Sequence, residues 1–185
     1  MKVSVKAYKL NPVLECSLVI SFSLLMAVSS RIKMPLLFSP VPITFQTLVL
    51  FLSFVFLREK AVFSQALYIA LGVLGCPVFS GGAGFLYLFG PTGGYIAGFF
   101  LSALIFPLFF RRFKGKSLSF IVLFLGFFLA DLCIHFLGIT WLRFLLKVSL
   151  KEAVVIGVFP FMVGELFKIL AAAGISSKFL KTVYK

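Results

Sequence analysis

The segment CPVFSGGAGFLYLFGPTGGY, residues 76–95, contains six of the fifteen glycines of the chain and two of its eight prolines; we call it the glycine loop. Glycine is unfavourable inside helices and allows backbone conformations that other residues avoid. The segment is as apolar as its flanks, and irregular backbone occurs at membrane depth only where it is buried in protein or lines a cavity. We therefore predict an ordered, non-helical loop that forms the wall of a binding pocket. The alternative is a long surface loop outside the membrane.

The composition is that of an integral membrane protein. Of the 185 residues, 62% are hydrophobic and 12% are charged, and the mean hydropathy is +1.17. We predict one membrane domain over residues 1–185. The net charge of +13 is carried mainly by short connecting segments, which favours membrane lipids as partners and disfavours nucleic acid. Cys16, Cys76 and Cys133 are far apart in the sequence, so we expect no disulfide framework, no metal site and no cofactor.

Six hydrophobic segments predict an all-α membrane protein with six transmembrane helices, whose irregular extracytoplasmic loops roof a ligand pocket. The predicted spans are residues 14–30, 43–57, 61–75, 94–110, 118–137 and 160–175. Three prolines within residues 31–42 disfavour a helix between the first two spans. After the fifth span we expect an amphipathic segment anchored at the membrane interface by Trp141. Ser149 and Glu152 then have the spacing of a capping box, which predicts a short helix before the sixth span.

Basic residues are distributed unequally between alternate connections. Twelve of the 18 lie in the N-terminal tail, the second loop, the fourth loop and the C-terminal tail, against five in the opposite connections. Because cytoplasmic connections carry the excess of Lys and Arg, we predict a multi-pass protein of the cell membrane with both termini in the cytoplasm. The proline-rich segment 31–42, the glycine loop and the Trp141 region would then lie together outside and cover one pocket.

Two pairs of ionisable residues fall inside the predicted spans, where a charge costs roughly 2.5–3.5 kcal/mol on insertion scales and therefore tends to mark function. Glu165 and Lys168 are three residues apart and share one face of the sixth span. They fit either a ligand site or a polar clamp between helices. Asp131 and His135 are four residues apart on the fifth span. They fit either a satisfied pair packed against a neighbouring helix or a proton relay.

Four segments carry a family resemblance. They are SSRIKMPLLFSPVPITFQTL (29–48), GVLGCPVFSGGAGFLYLFGPTGGYIAGF (72–99), GITWL (138–142) and GVFPFMVGELFK (157–168). In this order they resemble the signature segments of the BioY family, the biotin-binding S components of energy-coupling factor (ECF) transporters. In that family Asp usually stands at the position of Glu165, and an aromatic residue, commonly Tyr, is expected at the position of His135.

The resemblance implies a six-helix protein that captures biotin from outside and works with a transmembrane coupling subunit and ATP-binding subunits. It implies that small residues of the first span, Ser23 and Ala27, face the coupling subunit. Biotin has an apolar bicycle, a ureido group and a carboxylate, which call for apolar walls and a few polar groups. The predicted binding residues are Phe38, Gln46, Phe79, Gly82, Gly84, Phe85, Tyr87, Gly93, Tyr95, Glu165 and Lys168.

Two alternatives stay open. The chain resembles a binding subunit, yet the ligand could be another vitamin such as lipoate or thiamine. A membrane-embedded enzyme that uses Glu165, Asp131 and His135 is the competing class, although their spacing fits no recognisable catalytic pattern and we predict no catalytic residues. The sequence has no G-x-x-x-x-G-K-[ST] phosphate loop, so ATP hydrolysis would have to come from partner subunits.

Overall fold

The computed structural model describes residues 11–111 and 118–183. Seven α-helices and two short strands make up most of these residues. The helices are α1 (Pro12–Arg31), α2 (Gln46–Phe56), α3 (Ala61–Val73), α4 (Gly93–Arg111), α5 (Phe120–Leu146), α6 (Leu150–Gly157) and α7 (Met162–Val183). The strands are β1 (Lys33–Met34) and β2 (Ile43–Thr44), and 3₁₀ turns lie at Arg58–Lys60 and Phe85–Phe89. The predicted all-α class is confirmed.

Side chains cap several of the helices as the sequence suggests. The side chain of Asn11 accepts a hydrogen bond from the backbone of the first turn of α1, and Ser119 does the same for α5. The predicted capping box of α6 is confirmed, because the Ser149 hydroxyl accepts from Glu152 N while the Glu152 carboxylate accepts from Ser149 N. Each cap satisfies backbone N–H groups that a helix cannot pair internally.

The proline-rich segment forms an antiparallel ribbon between α1 and α2. Lys33 pairs with Thr44 and Met34 pairs with Ile43. The prediction that the second span begins at residue 43 is therefore wrong at its start, and α2 begins only at Gln46. The physical reason is that the two β-branched residues after the last proline pair with strand β1 instead of entering the helix.

The glycine loop is ordered and mostly non-helical, as predicted, apart from the 3₁₀ turn at Phe85–Phe89. Gly84 has a φ of +95° and its N–H donates to the carbonyl of Gly72 at 2.7 Å, which ties the middle of the loop to the end of α3. This left-handed backbone favours glycine. At Gly72 itself the Phe79 ring packs so closely that an added Cβ would lie 2.1 Å from it.

Helices α5 and α7 are longer than predicted. The segment around Trp141 is not separate: α5 continues to Leu146, nine residues past the predicted end of the fifth span. Gly138 lies inside this helix and packs on the Tyr95 ring so closely that an added Cβ would lie 2.4 Å away. Helix α7 begins at Met162, after a bend of 54° from α6 at the turn that contains Pro160, and ends beyond residue 175. Because proline has no backbone N–H to donate within a helix, the chain bends at this turn instead of continuing as one straight helix.

Contacts at both ends of the bundle place the connections. At one end Lys60, between α2 and α3, forms an ion pair with Glu15 at the start of α1. At the other end Ser30 Oγ donates to Val78 O at 2.7 Å, and Trp141 Nε1 donates to Gly90 O at 2.8 Å. The ribbon, the glycine loop and the end of α5 therefore lie at the same end of the bundle, as predicted. The end of α5 is helical there, whereas the other two segments are mostly irregular.

Length and hydropathy qualify α1 and α5 as membrane spans, and the bent pair α6–α7 as a third. Helices α2 and α3 are shorter, and the six-span count stays a prediction. The core between the helices is aromatic, with Phe54 stacked on Phe106 and Phe106 stacked on Phe127. Helices α4 and α5 pack closely at Gly98, where an added Cβ would lie 2.8 Å from the Ile134 Cα.

Candidate functional site

An inner cavity of about 40 Å³ lies beneath the irregular end of the bundle. On this measure one water needs about 10–15 Å³, so the cavity has room for a few waters. Its wall consists of nine apolar or aromatic residues and seven polar ones. The lining residues are Val41, Pro42, Thr44, Gln46, Thr47, Tyr68, Ser80, Tyr87, Thr92, Tyr95, Ile96, Phe99, Ile134, His135, Phe161 and Glu165.

An outer cleft of about 370 Å³ adjoins the inner cavity. It lies between the ribbon and the glycine loop, and Lys33 on its rim donates to Ser80 O at 2.6 Å. Four residues line both spaces and form the partition between them: Pro42, Ser80, Tyr87 and Thr92. A ligand on its way to the inner cavity from this end would therefore cross the cleft first.

Glu165 and Lys168 form the charged centre of the site, and both are buried. Lys168 Nζ donates to Glu165 Oε1 at 2.5 Å, to Thr47 Oγ1 at 2.9 Å and to Thr44 O at 2.8 Å. An ammonium has three N–H donors, so all three are used within the protein. Glu165 Oε2 is buried and has no hydrogen-bond partner within the described residues. Because Glu165 lines the cavity and Lys168 does not, the free acceptor belongs to Glu165.

The beginning of α2 carries a second polar group. Gln46 Nε2 donates to the Tyr68 hydroxyl of α3 at 2.7 Å, and Thr44 Oγ1 donates to Gln46 Oε1 at 3.2 Å. The amide is therefore held in one orientation from both sides. Since an amide can both donate and accept, Gln46 offers its remaining hydrogen-bonding positions to the cavity that it lines.

Three aromatic rings in contact with one another join the glycine loop to α3. The Phe79 and Tyr87 rings stack with centroids 4.9 Å apart, and Phe79 meets Tyr68 edge-on at 5.5 Å. The Tyr87 hydroxyl accepts from Gly81 N at 2.9 Å and lies 3.1 Å from Ser80 Oγ. These contacts fix Tyr87 in the partition between the cleft and the cavity.

On the opposite wall, α4, α5 and the α6–α7 turn meet. The Tyr95 hydroxyl donates to Gly157 O at 2.8 Å. The His135 ring meets Tyr95 edge-on, with centroids 6.0 Å apart, and meets Phe161 at 5.9 Å. His135 Nδ1 lies 3.1 Å from Asp131 O and 3.3 Å from Asp131 Oδ2. The pair thus has the internal contact predicted for it, and the imidazole also lines the cavity.

Four of the eleven predicted binding residues line the inner cavity: Gln46, Tyr87, Tyr95 and Glu165. Three others support the lining, since Phe79 and Gly82 lie against Tyr87 and Lys168 binds Glu165. The remaining four, Phe38, Gly84, Phe85 and Gly93, line neither space. The side chains of Phe38 and Phe85 are exposed, and Gly93 packs against Leu88 and Trp141.

Reasoning from the sequence missed several lining residues. Tyr68, Thr47 and Phe161 were not predicted, and His135 was interpreted without a place in the pocket. Thr47 follows Gln46 by one residue, which is the only local signal that could have indicated it. The structure describes no group of three or more His, Cys, Asp or Glu side chains that could hold a metal ion among residues 11–111 and 118–183.

The small residues of α1 do not share one surface. Ser23 is 1% exposed and faces the interior of the bundle, and Ala27 is half-buried. Ser17 and Ser21 are the serines that α1 presents outward, next to exposed apolar residues such as Leu24 and Val28. A partner that packs on α1 would therefore meet this outer face, and Ser23 would reach it only through rearrangement.

Comparison with known proteins identifies relatives over most of the chain. The probable biotin transporter BioY of Pyrococcus horikoshii is 35% identical over 167 residues, which cover 89% of this chain and 94% of the relative. The biotin transporter BioY of Thermotoga maritima is 36% identical over 165 residues, with coverage of 86% and 92%. Biotin transporter BioY2 of Lactococcus lactis is 33% identical over 147 residues, with coverage of 78% of both chains.

One solved structure has the same fold. The crystal structure of the S-component for biotin from an ECF-type ABC transporter superposes with a TM-score of 0.85 at 22% identity, and the match covers 91% of this chain and 92% of that chain. The BioY family itself matches residues 1–185. The chain belongs to the BioY family.

Proposed function

We propose that this protein is the substrate-binding subunit of a vitamin uptake transporter in the cell membrane, and that it captures biotin from the extracytoplasmic side. The observation that carries the proposal is the buried Glu165 Oε2, an acceptor with no partner among the described residues on the wall of an apolar, aromatic cavity. A buried polar atom without a hydrogen bond is costly, and a ligand N–H group would satisfy it. The names of the relatives supply the candidate ligand.

The chemistry of biotin matches the two spaces. One of its ureido N–H groups would donate to Glu165 Oε2 in the inner cavity, as a charge-assisted hydrogen bond. Its carboxylate would remain in the outer cleft, where the ammonium of Lys33 has one acceptor within the described part of the chain. Lys168 would act through Glu165, because its three N–H groups are already bonded. Gln46 and Tyr95 would complete the polar contacts, and the Phe79–Tyr87 stack would support the apolar wall.

The inner cavity is too small for this ligand in the form described. The ribbon and the glycine loop would have to move apart so that the cavity and the cleft merge across the shared residues Tyr87 and Thr92. Loop closure over a bound substrate is common in transporters and enzymes. The proposed bound state therefore differs from the present structure at the roof and retains the helices beneath.

A binding measurement on the purified full-length chain tests the proposal. We expect one biotin per chain with a Kd below about 1 µM, which corresponds to about 8 kcal/mol, and no chemical change of the ligand. Lipoate lacks the ureido N–H groups and thiamine is a cation, so each should bind at least about tenfold more weakly. Tighter binding of either vitamin would assign the chain to another substrate, and product formation would favour a membrane-embedded enzyme.

The orientation in the membrane is part of the proposal. The twelve basic residues assigned to the cytoplasm include Lys178 and Lys181 near the end of α7. Lys151 is one of the five basic residues that the prediction assigns to the extracytoplasmic side. All three are exposed. Part of the twelve, including Lys2, Lys6, Lys9 and residues 112–116, lies outside the described residues. The Glu15–Lys60 ion pair supports a common end for the start of α1 and the α2–α3 turn.

Thiol labelling of intact cells checks this orientation. In a chain whose three cysteines are replaced by alanine, a single cysteine at Lys151 should react with an impermeant maleimide added outside. A cysteine at Lys181 should react only after the membrane is permeabilised, because it would lie in the cytoplasm. A cysteine at Lys178, one turn away, is the matched control and should behave like Lys181. The reverse pattern would place the pocket on the cytoplasmic side.

A further inference from the structure

We propose that His135 is a ligand-contacting residue that donates a hydrogen bond from Nε2 to the ureido oxygen of the ligand, next to the carboxylate of Glu165. This inference rests on the proposed function and deepens it, since it assigns a second polar contact and a specificity for a carbonyl acceptor. The sequence left His135 as part of either a packed helix–helix pair or a proton relay, so the pocket gains a group that the predicted site did not contain.

The geometry identifies which ring nitrogen is free. His135 Nδ1 faces two oxygens of Asp131, the backbone carbonyl at 3.1 Å and Oδ2 at 3.3 Å. Both are acceptors, so Nδ1 carries a proton. Nε2 has no hydrogen-bond partner in residues 11–111 or 118–183, and the residue lines the inner cavity. The Tyr95 and Phe161 rings both pack against the imidazole, with their own centroids 6.3 Å apart, and limit its rotation.

The charges around the cavity favour an imidazolium, with a proton on Nε2 as well. Asp131, Glu165 and Lys168 are all buried in the same region between α5 and α7, where two acidic side chains stand against one basic side chain. Asp131 Oδ1 and Glu165 Oε2 have no hydrogen-bond partners among the described residues. An uncompensated buried charge is expensive, and protonation of His135 brings the cluster to neutrality. Nε2–H is then a hydrogen-bond donor on a side chain that lines the cavity.

The two free groups complement a cyclic urea. Glu165 Oε2 accepts, so it suits a ureido N–H; His135 Nε2–H donates, so it suits the ureido oxygen. A site built to hydrogen-bond a group rejects an analogue that lacks it, because the polar atoms of the site are then left unpaired. At neutral pH 2-iminobiotin is a guanidinium cation: it keeps the N–H donors, has no carbonyl acceptor and would meet the imidazolium as a like charge.

The test compares biotin with 2-iminobiotin in the full-length parent and in three variants at pH 7. The parent should prefer biotin strongly. His135→Phe keeps a ring but removes the donor, so biotin should bind roughly ten- to a hundredfold more weakly, and the biotin to 2-iminobiotin affinity ratio should fall by a similar factor. His135→Gln retains an N–H donor and should keep part of the preference. Leu132→Val, on the exposed side of the same helix, should leave the ratio unchanged.

Asp131→Asn gives a second readout that a purely structural role would not change. Asparagine keeps an acceptor for Nδ1–H but removes the counter-charge, so the imidazole becomes neutral and Nε2 becomes an acceptor. The ratio should then shift toward 2-iminobiotin, and this measurement also serves if His135→Phe does not fold. An unchanged ratio in the His135 and Asp131 variants of a biotin-binding parent overturns this inference alone. A parent that binds neither ligand overturns the proposed function instead.

Discussion

Replacement of Lys168 by methionine is expected to destabilise the fold by about 3–5 kcal/mol and to lower the affinity for biotin by roughly ten- to a hundredfold. The side chain joins α7 to the start of α2 through Thr47 Oγ1 and Thr44 O, and it compensates the charge of Glu165. Without it Glu165 is a buried, unpaired carboxyl group that takes up a proton. A protonated Glu165 presents a weaker acceptor to the ureido N–H groups.

The double variant Lys168→Met with Glu165→Gln separates stability from binding. With both charges removed, most of the lost stability should return, while binding stays weak because glutamine is not a charged acceptor. Thr47→Val is the matched control: it removes one acceptor of Lys168 but leaves both charges, so its effects should be several-fold smaller. The measurements are denaturation midpoints in detergent and titration with biotin. Parent-like affinity in the double variant would exclude both side chains from the ligand site.

Concentrative uptake of biotin should be almost completely lost when this chain is expressed in cells that lack ECF coupling and ATP-binding subunits. We propose these subunits as partners because the family resemblance implies them and the sequence contains no phosphate-binding loop. Cells that carry the chain alone should still bind biotin at their surface, in an amount set by the number of chains. Accumulation should appear when a complete set of coupling subunits is co-expressed.

Two comparisons make the uptake experiment decisive. The Lys168→Met variant should lower surface binding and uptake together, which shows that accumulation depends on the proposed site. Ser21→Trp, on the outer face of α1, should retain binding but reduce uptake if a partner packs there, and the same change at exposed Leu132 of α5 is its control. ATP-dependent accumulation by the chain alone would contradict the proposed division of labour.

Hydropathy was sufficient to predict most of the helices and insufficient for their ends. Spans at 14–30 and 61–75 lie within two residues of α1 and α3, because a long apolar run has few alternatives to a helix in a membrane. The start of the second span was misplaced because residues 43–44 pair with Lys33 and Met34, which are not their neighbours in the sequence. The end of α5 was misplaced because the close packing of Gly138 on Tyr95 is a tertiary contact, and a hydropathy profile carries no information on such contacts.

The candidate site was predictable where a polar residue stood out from its surroundings. Glu165 and Gln46 were chosen for that reason, and both line the cavity. Phe38 and Phe85 were chosen only as aromatics in irregular segments, and their exposed side chains show that loop position does not determine direction. Tyr68 could not be found in this way, because it enters the site through a hydrogen bond to Gln46, 22 residues earlier.

The partition between the cleft and the inner cavity has a consequence for the rates of binding. A ligand too large for a cavity of about 40 Å³ would enter or leave only while the ribbon and the glycine loop are apart. The association rate would then be proportional to the fraction of time in which the ribbon and the loop are separated. The same opening controls dissociation. Lys33 Nζ donates to Ser80 O and so joins the ribbon to the glycine loop. Under the proposed function this contact would slow the opening and lengthen the lifetime of the loaded state, which would give the subunit time to meet a partner by lateral diffusion before the ligand dissociates.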